Sequence, residues 1–306
     1  MDSSPVISTP GRSLIRKDNI GYLFIAPFIA AFLIFGLYPI YNMFYLSFTD
    51  TTLLSSEVNW IGLKNFERLF ADDTFVTAVG NTWLIWMLNF IPQITIAVLL
   101  SVWFTNVRLK IRAVGLWRAL FYLPNLLMPA AVAALFFSLF SFYGPVNQFM
   151  VRSGFLPEAM NYFQDGSITR GVVIFIQCWM WFGQTTILIM AGMTSISSTL
   201  YEAAMVDGAT ASQMFRQITV PLLRPIWIFI FVTSLVGGMQ MFDIPYLLTD
   251  GRGSPTNAIM TNNILMYLKF ASSKHHIGAA SSVGVLVFIM TVTCALGIFY
   301  VLRDKD

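Results

Sequence analysis

Charged residues are scarce in this sequence. They make up 11% of its 306 residues, whereas hydrophobic residues make up 57% and the mean hydropathy is +0.70. An ordinary soluble domain carries roughly 25% charged residues. The chain has too few ionisable side chains to cover a globule in water, so the composition predicts an integral membrane protein. A net charge of +3 is also too small to indicate a nucleic-acid partner.

Cysteine and histidine, the usual ligands of a metal site, are nearly absent. The two cysteines, Cys178 and Cys294, lie inside apolar runs and are expected to be small core side chains, with a disulfide as the less favoured alternative. The two histidines are adjacent, His275 and His276. Neighbouring residues point in different directions, and no cysteine or carboxylate stands at ligand spacing. We therefore expect no metal site and no cofactor bound by this chain.

The dipeptide Gly-Lys occurs nowhere in the sequence. A Walker A loop requires it, because the lysine of that loop contacts the nucleotide phosphates. Serine and threonine residues are scattered, with no catalytic constellation of histidine and carboxylate near them. The chain is thus not expected to be a membrane enzyme, nor to hydrolyse ATP by itself.

Long apolar runs are what the sequence does contain. A helix needs about 20 mostly apolar residues to cross the hydrocarbon core, whereas a barrel strand needs about ten. Six stretches qualify as helices: Tyr22 to Leu46, Val79 to Phe104, Leu116 to Phe140, Gly171 to Met193, Ile226 to Leu248 and Ala279 to Leu302. The prediction is an all-α integral membrane protein with six transmembrane helices. Residues 19–306 form this single domain, after a tail at residues 1–18.

Lysine and arginine are unevenly divided between the two ends of the predicted spans. Eleven of the 18 lie in the two tails, in the loop after the second span, and at Arg216 and Arg224. The first loop at the opposite end, Ser47 to Phe75, is acidic instead. Cytoplasmic loops carry the excess of basic residues. The prediction therefore places both termini, and the loop between the fourth and fifth spans, in the cytoplasm.

That loop contains an unusual polar stretch, EAAMVDGATASQMFRQITVPLLRP, from Glu202 to Pro225. Thr199 is predicted to cap a short helix, with Glu202 three residues later as in a capping box. Gly208 interrupts the helix, and Pro221 marks a change of chain direction before the fifth span. The prediction is two short helices at an angle to each other, lying along the membrane surface.

Small side chains would let a partner approach this segment closely. No basic residue occurs between Tyr201 and Phe215, although helices that only rest on lipid usually carry Lys or Arg on the polar face. The pattern favours a docking element for a cytoplasmic partner over an amphipathic linker. Its small, charged and apolar members are Ala203, Ala204, Gly208, Ala209, Glu202, Asp207, Met205 and Phe215.

The stretch EAAMVDGA, followed by Phe215, Ile218, Pro221 and Pro225, resembles the EAA loop of binding-protein-dependent ABC importer permeases. Val220 stands where that loop usually has leucine. Two further stretches resemble the same family: LPNLLMPAAVAALFFSLFSFYGPVNQF and MFDIPYLLTDGRGSPTNAIMTNNILMYLKFASSKHHIGAASSVGVLVF. The second has Gly251-Arg252-Gly253-Ser254-Pro255 where the family usually has Gly-Gly-Pro. Within the family, the chain is most similar to the first-named subunit of maltose, multiple-sugar and glycerol-phosphate permeases.

The resemblance implies a type I ABC importer permease fold and a set of partners. These are a second six-helix permease, two copies of a cytoplasmic ATPase that binds ATP and Mg, and an extracytoplasmic binding protein that delivers a sugar. The EAA loop, about residues 199–225, is the coupling helix and seats in a groove of the ATPase. The implied location is the bacterial cytoplasmic (inner) membrane. The implied coupling residues are Glu202, Ala203, Ala204, Asp207, Gly208, Ala209, Phe215 and Pro221.

Polar and aromatic residues within the spans are candidates for the substrate pathway. A charge at mid-membrane costs about 2.5–3.5 kcal/mol on insertion scales, so it is expected to face protein or water. Asp243 is the only acidic residue well inside a span, and Gln240 lies about one turn before it. Further candidates, each also compatible with ordinary helix packing, offer amides or aromatic faces to a carbohydrate: Asn89, Gln93, Trp179, Trp181 and Gln184.

The sequence leaves the substrate open. An oligosaccharide is favoured by the resemblance, and glycerol 3-phosphate is the alternative, but no Lys or Arg lies deep inside a span to bind a phosphate. An ion-coupled secondary transporter is a weaker alternative. Asp243 has no second carboxylate within the spans, and no pair of broken helices occurs in corresponding halves of the sequence.

Overall fold

A computed structural model of the chain describes residues 17–54, 58–106, 111–249, 251–272 and 276–303. Within these ranges the chain is helical apart from turns, loops and two isolated β-bridges. Five helices are long and apolar enough to cross a membrane, and a sixth span arises if two helices joined at a sharp bend count as one. The predicted all-α membrane fold is confirmed. The predicted tail up to residue 16, and His275, lie outside the described residues.

The helices are numbered here in chain order. They are α1 (Lys17–Phe32), α2 (Tyr38–Ser47), α3 (Lys64–Phe70), α4 (Asp73–Thr105), α5 (Val114–Leu126), α6 (Pro129–Leu139), α7 (Pro145–Arg152), α8 (Gly166–Ser195), α9 (Ser198–Val206), α10 (Ala211–Met214), α11 (Val220–Leu222), α12 (Arg224–Met239), α13 (Asp243–Leu248), α14 (Asn262–Phe270) and α15 (Ile277–Leu302). Two π-helical turns, Leu33–Leu37 and Phe215–Thr219, join α1 to α2 and α10 to α11.

The third predicted span, Leu116 to Phe140, is not one straight helix. α5 and α6 meet at 92°, and Leu127 and Met128 between them have extended backbone with ψ of 140° and 128°. Pro129 is the first residue of α6. Proline lacks the N–H that would continue α5 and disfavours a helical conformation at the preceding residue. The predicted third span is therefore present as a bent pair of helices, with the break just before Pro129.

α4 and α8 form the centre of the bundle. Asn81 contacts Arg170 near the start of both helices, and Gln93 contacts Thr185 further along both. Because the contacts advance in the same order, the two helices run in the same direction. The connection from α4 to α8 must therefore cross the bundle, which α5 and α6 do.

α12 packs against α4 in the opposite direction. Trp86 Nε1 donates a hydrogen bond to Ser234 Oγ at 3.1 Å, while the rings of Phe90 and Phe231 lie 5.2 Å apart. The bundle therefore has two distinct ends. We call the end that holds α9 to α11 the EAA end, and the end that holds the start of α4 and the end of α13 the far end.

The first half of the first span stands apart from the other helices. No residue in its apolar window is buried within the structure. Only α2 packs along the bundle, with Met43 close to Gly284 and the ring of Phe44 at 5.7 Å from that of Phe288. From Phe24 to Phe32 the side chains of α1 are apolar and exposed, and they include Phe28. This helix therefore presents its surface to lipid or to another membrane protein.

Glycine allows α5 to approach α8 closely. A Cβ atom on Gly183 would collide with the backbone carbonyl of Phe121 in α5. Small residues serve the same purpose at many transmembrane helix contacts. The crossing of the bent span over the central pair thus depends on the missing side chain at this position.

We expect the substitution Gly183→Ala to destabilise the protein, because backbone atoms cannot yield as a flexible side chain would. Overpacking of this kind costs about 1–3 kcal/mol. Gly171→Ala in the same helix is the matched control, since nothing lies within 4 Å of a Cβ atom there. Thermal unfolding of the purified protein in detergent should show a lower transition temperature for Gly183→Ala only. Equal transitions for the two variants would contradict the close approach.

Candidate functional site

The segment between α8 and α12 folds into a short helix, a turn and a second short helix. α9 ends at Val206, and Gly208 follows with a positive φ of 78°. The N–H of Ala209 donates to the carbonyl of Ala204 at 2.8 Å. A left-handed glycine with such a bond is a common way to close a helix. The predicted interruption at Gly208 therefore coincides with a real helix end, and we call α9 to α11 the EAA segment.

The predicted cap at Thr199 was wrong. α9 begins after Ser197, whose Oγ accepts the N–H of Thr199 at 3.4 Å. The capping box belongs to α10 instead, where Thr210 Oγ1 accepts the N–H of Gln213 and the N–H of Thr210 donates to Gln213 Oε1 at 2.8 Å. Glu202 therefore lies inside α9 rather than at its start, and its side chain is exposed.

One contact holds the EAA segment together, and two contacts fix it to the bundle. The hydroxyl groups of Tyr201 and Thr219 lie 2.8 Å apart, and Trp227 Nε1 donates to the carbonyl of Val220 at 3.1 Å. Leu223 is fully buried and lies close to Gly192 of α8. The two ends of the segment are thus joined to each other, and its second end is joined to α8 and to the first turn of α12.

The predicted coupling residues divide by exposure. Ala204, Ala209 and Phe215 are half-buried, and Phe215 packs against the main apolar core rather than facing outward. Val206, which the sequence reasoning did not select, has 88% of its surface exposed. The exposed members of the predicted set are Glu202, Ala203, Asp207, Gly208 and Pro221. Together with Val206, most of them form a surface at the tip of the segment.

A cleft lies between α4, α8 and α12, within the spans. It encloses about 620 Å³ including its open mouth. Among the described residues that line it, none is ionisable; they are Trp86, Asn89, Gln93, Gln177, Trp181, Gln184, Thr185, Leu188, Ile230, Thr233, Ser234, Gly237, Gly238 and Met241. The lining therefore combines two indole rings with amide and hydroxyl groups.

The structure brings four predicted pathway residues together in this cleft. They are Asn89 and Gln93 from α4, and Trp181 and Gln184 from α8. Gln93 Nε2 donates to Thr185 Oγ1 at 2.8 Å, which links the two helices at mid-span. The four residues lie within two helices that are long and apolar enough to cross a membrane, where polar side chains are expected to face protein or water.

The other three predicted residues lie elsewhere. Trp179 points into an apolar cluster, with its ring 5.4 Å from that of Phe136. Gln240 ends α12 with an exposed side chain, and its carbonyl accepts a hydrogen bond from Asn263. Asp243 is the exposed first residue of α13 and borders a separate groove at the far end. The sequence spacing could not separate these positions, because α12 breaks after Met239.

One polar group of the cleft has no partner. Gln184 Oε1 is buried and accepts no hydrogen bond within the part of the chain that the structure describes. Asn89 Nδ2 and Trp86 Nε1, in contrast, are engaged with the carbonyl of Ile85 and with Ser234. Buried polar atoms are nearly always hydrogen-bonded, so an exception indicates a place for a ligand or water. The lining of the cleft thus contains an acceptor that no described protein group satisfies.

No metal site accompanies the cleft. Across the described ranges, no three His, Cys, Asp or Glu residues come together to hold an ion. Cys178 and Cys294 are free thiols, and Cys178 is buried, so the alternative of a disulfide is wrong.

Residues 81–305 match the model of the family described as "Binding-protein-dependent transport system inner membrane component". The chain belongs to this family. It is 30% identical to the lactose transport system permease protein LacF of Rhizobium radiobacter, over 98% of this chain and 100% of the relative. It is also 30% identical to the arabinooligosaccharides transport system permease protein AraP of Bacillus subtilis, over 90% and 87%.

A solved structure of a bacterial ABC transporter that imports the acidic polysaccharide alginate has the same fold. The TM-score is 0.79 with 24% sequence identity, over 95% of this chain and 97% of that chain. The resemblance that the EAA stretch carries is therefore confirmed at the level of the family. The permease has a fold and relatives that fit a carbohydrate importer.

Sequence reasoning missed part of the cleft of this permease. Gln177, Thr233 and Ser234 line it, and they were not selected. A periodicity signal was available on α8, where Gln177, Trp181, Gln184 and Leu188 recur at helical spacing. On α12 the polar positions are hidden in an apolar run, so only the tertiary packing reveals them.

We expect the cleft to be aqueous. In a background with Cys178→Ala and Cys294→Ala, the variant Thr233→Cys places a thiol on an exposed wall of the cleft. Val292→Cys places one on an exposed apolar face of α15. Thiol reagents attack the thiolate, which forms only in contact with water, so a small charged reagent should label Thr233→Cys about tenfold faster or more. Equal rates would show that the cleft is dry.

Proposed function

We propose that the permease is one of two membrane subunits of an ATP-driven importer for a neutral saccharide. The observation that carries this proposal is the uncharged cleft, in which indole rings and amides meet at mid-span. A saccharide presents apolar C–H faces and hydroxyl groups together, and such a lining suits both. LacF and AraP, whose names specify sugars, support the same substrate class.

Within the cleft, Trp181 and Gln184 have complementary tasks. Trp181 is 43% exposed and offers an aromatic face to a sugar ring. Gln184, one turn away on α8, offers the unpartnered Oε1 to a hydroxyl donor. A ring that stacks on the indole can therefore donate a hydrogen bond to the same helix. The hydrogen bond from Gln93 to Thr185 holds α4 in position against α8.

The alternative substrates fit this lining less well. Glycerol 3-phosphate or an acidic saccharide would need a positive charge, and no Lys or Arg is among the residues described along the cleft. The alginate importer shares the fold at 24% identity, which does not carry its substrate over. For an ion-coupled secondary transporter, Asp243 would have to lie on the pathway, yet it is exposed near the far end.

The open side of the cleft indicates where a second permease would pack. Phe229, Thr233 and Gly237 form an exposed stripe on α12, and two of them line the mouth of the cleft. Polar backbone and side chains cannot face lipid without cost. A second six-helix permease that covers this stripe would complete the pathway. An extracytoplasmic binding protein would then deliver the saccharide at the far end.

On this proposal, ATP hydrolysis by a partner acts on the permease at the EAA end. The sequence has no Gly-Lys for a phosphate-binding loop, so ATP and Mg belong to a partner ATPase, present in two copies. The exposed tip of α9, with Val206, Asp207 and Gly208, is the surface proposed to seat in that ATPase. On this proposal the EAA segment and both termini lie in the cytoplasm, and the permease lies in the bacterial cytoplasmic membrane.

Co-purification and uptake test the proposal together. A tagged permease, extracted gently from its native membrane, should bring a second permease and an ATPase with it. The reconstituted complex should accumulate a radiolabelled neutral disaccharide but not glycerol 3-phosphate. Uptake should stop when ATP is depleted and persist when an uncoupler abolishes ion gradients. The opposite pattern of sensitivity would identify a secondary transporter.

We expect Gln184→Ala to weaken substrate use, because it removes the unpartnered acceptor of the cleft. A neutral hydrogen bond contributes about 1 kcal/mol net, so the KM for uptake should rise about fivefold. Gln240→Ala and Asp243→Asn are the controls, since both side chains are exposed outside the cleft. Their uptake kinetics should stay near those of the unsubstituted permease. A larger effect for the controls than for Gln184→Ala would move the pathway away from this cleft.

We expect Gly208→Leu to abolish coupled transport while the permease remains in the membrane. The substitution adds bulk at the tip of the EAA segment and strains a backbone with φ of +78°. Gly154→Leu is the matched control, because Gly154 has φ of +74° and open space but lies in the loop after α7. Substrate-stimulated ATP hydrolysis in proteoliposomes is the measurement.

The charge at Glu202 gives a second test of the same surface. Glu202→Lys reverses an exposed charge and should reduce coupled ATP hydrolysis strongly, whereas Glu202→Gln should reduce it little. If Gly208→Leu and Glu202→Lys both transport normally, the EAA segment does not contact the ATPase.

A further inference from the structure

The chain between α13 and α14 returns into the bundle at the far end. We call residues 255–262 the far-end insert. It has no regular secondary structure before α14 begins at Asn262, yet Ile259, Met260, Thr261 and Asn262 are all buried. Irregular backbone is tolerated at such a place only where protein groups or water satisfy its N–H and C=O groups. The side chains that bind these backbone groups therefore determine whether the insert remains buried in the bundle.

Arg170 and Asn81 provide most of these contacts. Arg170 donates from both Nε and Nη2 to the carbonyl of Ala258, at 3.0 and 2.9 Å. Asn81 Nδ2 donates to the carbonyls of Asn257 and Met260, at 2.7 and 3.2 Å. Arg170 Nη2 also donates to Asn81 Oδ1 at 3.0 Å, which orients the amide towards the insert. One guanidinium group thus joins α8, α4 and the insert.

The inner edge of the insert is attached to the walls of the cleft. Thr261 Oγ1 donates to the carbonyl of Met241, which lines the cleft, at 2.8 Å. The N–H of Asn262 donates to Thr82 Oγ1 at 3.0 Å. Thr82 precedes the cleft residue Trp86 by four positions on α4, a rise of about 6 Å. The insert therefore lies about one helical turn beyond the cleft, towards the far end.

In the buried position of the insert, the side chain of Asn262 has no hydrogen-bond partner among the described residues. Asn262 is 0% exposed, and neither its Oδ1 nor its Nδ2 makes a hydrogen bond within the described part of the chain. A buried unpaired amide lowers the stability of the arrangement that contains it. The hydrogen bonds of Arg170 and Asn81 stabilise the buried position of the insert, whereas the unpaired amide of Asn262 destabilises it. Because the two effects oppose each other, the insert is suited to opening.

We propose that Arg170 is the positioning residue of a far-end closure, in which its guanidinium group clamps the insert over the cleft until substrate enters. The proposal rests on the proposed function, since it assigns the cleft as the pathway. Arginine suits this task because its planar fork reaches a carbonyl and an amide together, whereas lysine offers a single point of attachment. Arg170 does not touch the substrate in this arrangement.

The rate at which a reagent from the far end labels a cysteine in the cleft shows whether the insert is clamped. This test does not require the substrate to be known. The complete transporter carrying Thr233→Cys, in the cysteine-free background, is placed in right-side-out vesicles and treated with an impermeant charged thiol reagent. Arg170→Gln should raise the labelling rate about tenfold, because it removes three charge-assisted hydrogen bonds. Arg170→Lys should give an intermediate rate. Basal ATP hydrolysis in the absence of binding protein should rise in the same order.

Lys269→Gln is the matched control at the far end. Lys269 Nζ lies 2.9 Å from Asp72 Oδ2 and ties α14 to the start of α4 without touching the insert. Burial disfavours the charged form of Asp72, but hydrogen bonds from Lys269 and Thr74 outweigh it and lower the pKa of that carboxyl group. The ion pair is therefore intact at neutral pH. Its loss should leave the labelling of Thr233→Cys unchanged.

A disulfide provides a test in which Arg170 is retained. An ideal Cβ atom on Gly166 would lie 2.6 Å from Ala258 Cβ, so Gly166→Cys with Ala258→Cys needs only a small shift to form the bond. Oxidation should lock the insert, stop uptake and suppress labelling of Thr233→Cys, and a reductant should restore both. Full uptake in the oxidised, cross-linked transporter would overturn the proposal.

The outcomes separate the clamp from the proposed function. Equal labelling of Thr233→Cys with Arg170, Arg170→Gln and Arg170→Lys would overturn the clamp and leave the aqueous cleft in place. An increase with Lys269→Gln as large as that with Arg170→Gln would also overturn it, since general loosening would then explain both. Absence of labelling in every variant would contradict the pathway and the clamp together.

Discussion

Inside a bilayer every backbone N–H and C=O group must find its partner within the protein, and this constraint organises the whole permease. Long helices satisfy it internally, so each interruption of a span needs side chains from elsewhere. After α12 ends, the carbonyls of Gln240 and Met241 accept hydrogen bonds from Asn263 Nδ2 and Thr261 Oγ1. The start of α14 therefore closes the break between α12 and α13. The polar residues that this requires collect at one end of the cleft.

Packed side chains and α12 connect the EAA segment to the cleft. Leu223 is buried between the segment and α8, and Trp227 Nε1 binds the carbonyl of Val220 across the joint. α12 begins at the next residue after Leu223 and carries Thr233 and Ser234 into the cleft. The opposite wall is held by the bond between Gln93 and Thr185. On the proposed function, a displacement of the segment would therefore act on the α12 wall of the cleft.

The sequence predicted those features that depend on composition and local chemistry. Apolar runs located the spans, and Gly208 marked a real helix end because φ of +78° requires such a residue. The cleft was half predictable: Gln184 stands out as an amide in an apolar run, whereas Ser234 in α12 does not. The far-end insert escaped prediction altogether. Its seat depends on Arg170 meeting a carbonyl 88 positions away, at Ala258, and no local pattern reports such a contact.

The neutrality of the cleft has an energetic reason. A pathway that opens and closes in each cycle must bind its substrate without leaving a charge unpaired when the substrate departs, because an unpaired buried charge is far more costly than an unpaired amide. Gln93 with Thr185, and Trp86 with Ser234, satisfy one another when the cleft is empty. Among the buried side-chain atoms described in the cleft, Gln184 Oε1 is the one without a partner. On the proposed function, such a lining would bind hydroxyl groups weakly enough to release them, and the charged groups of the proposed clamp and coupling surface lie outside the cleft, towards the two ends of the bundle.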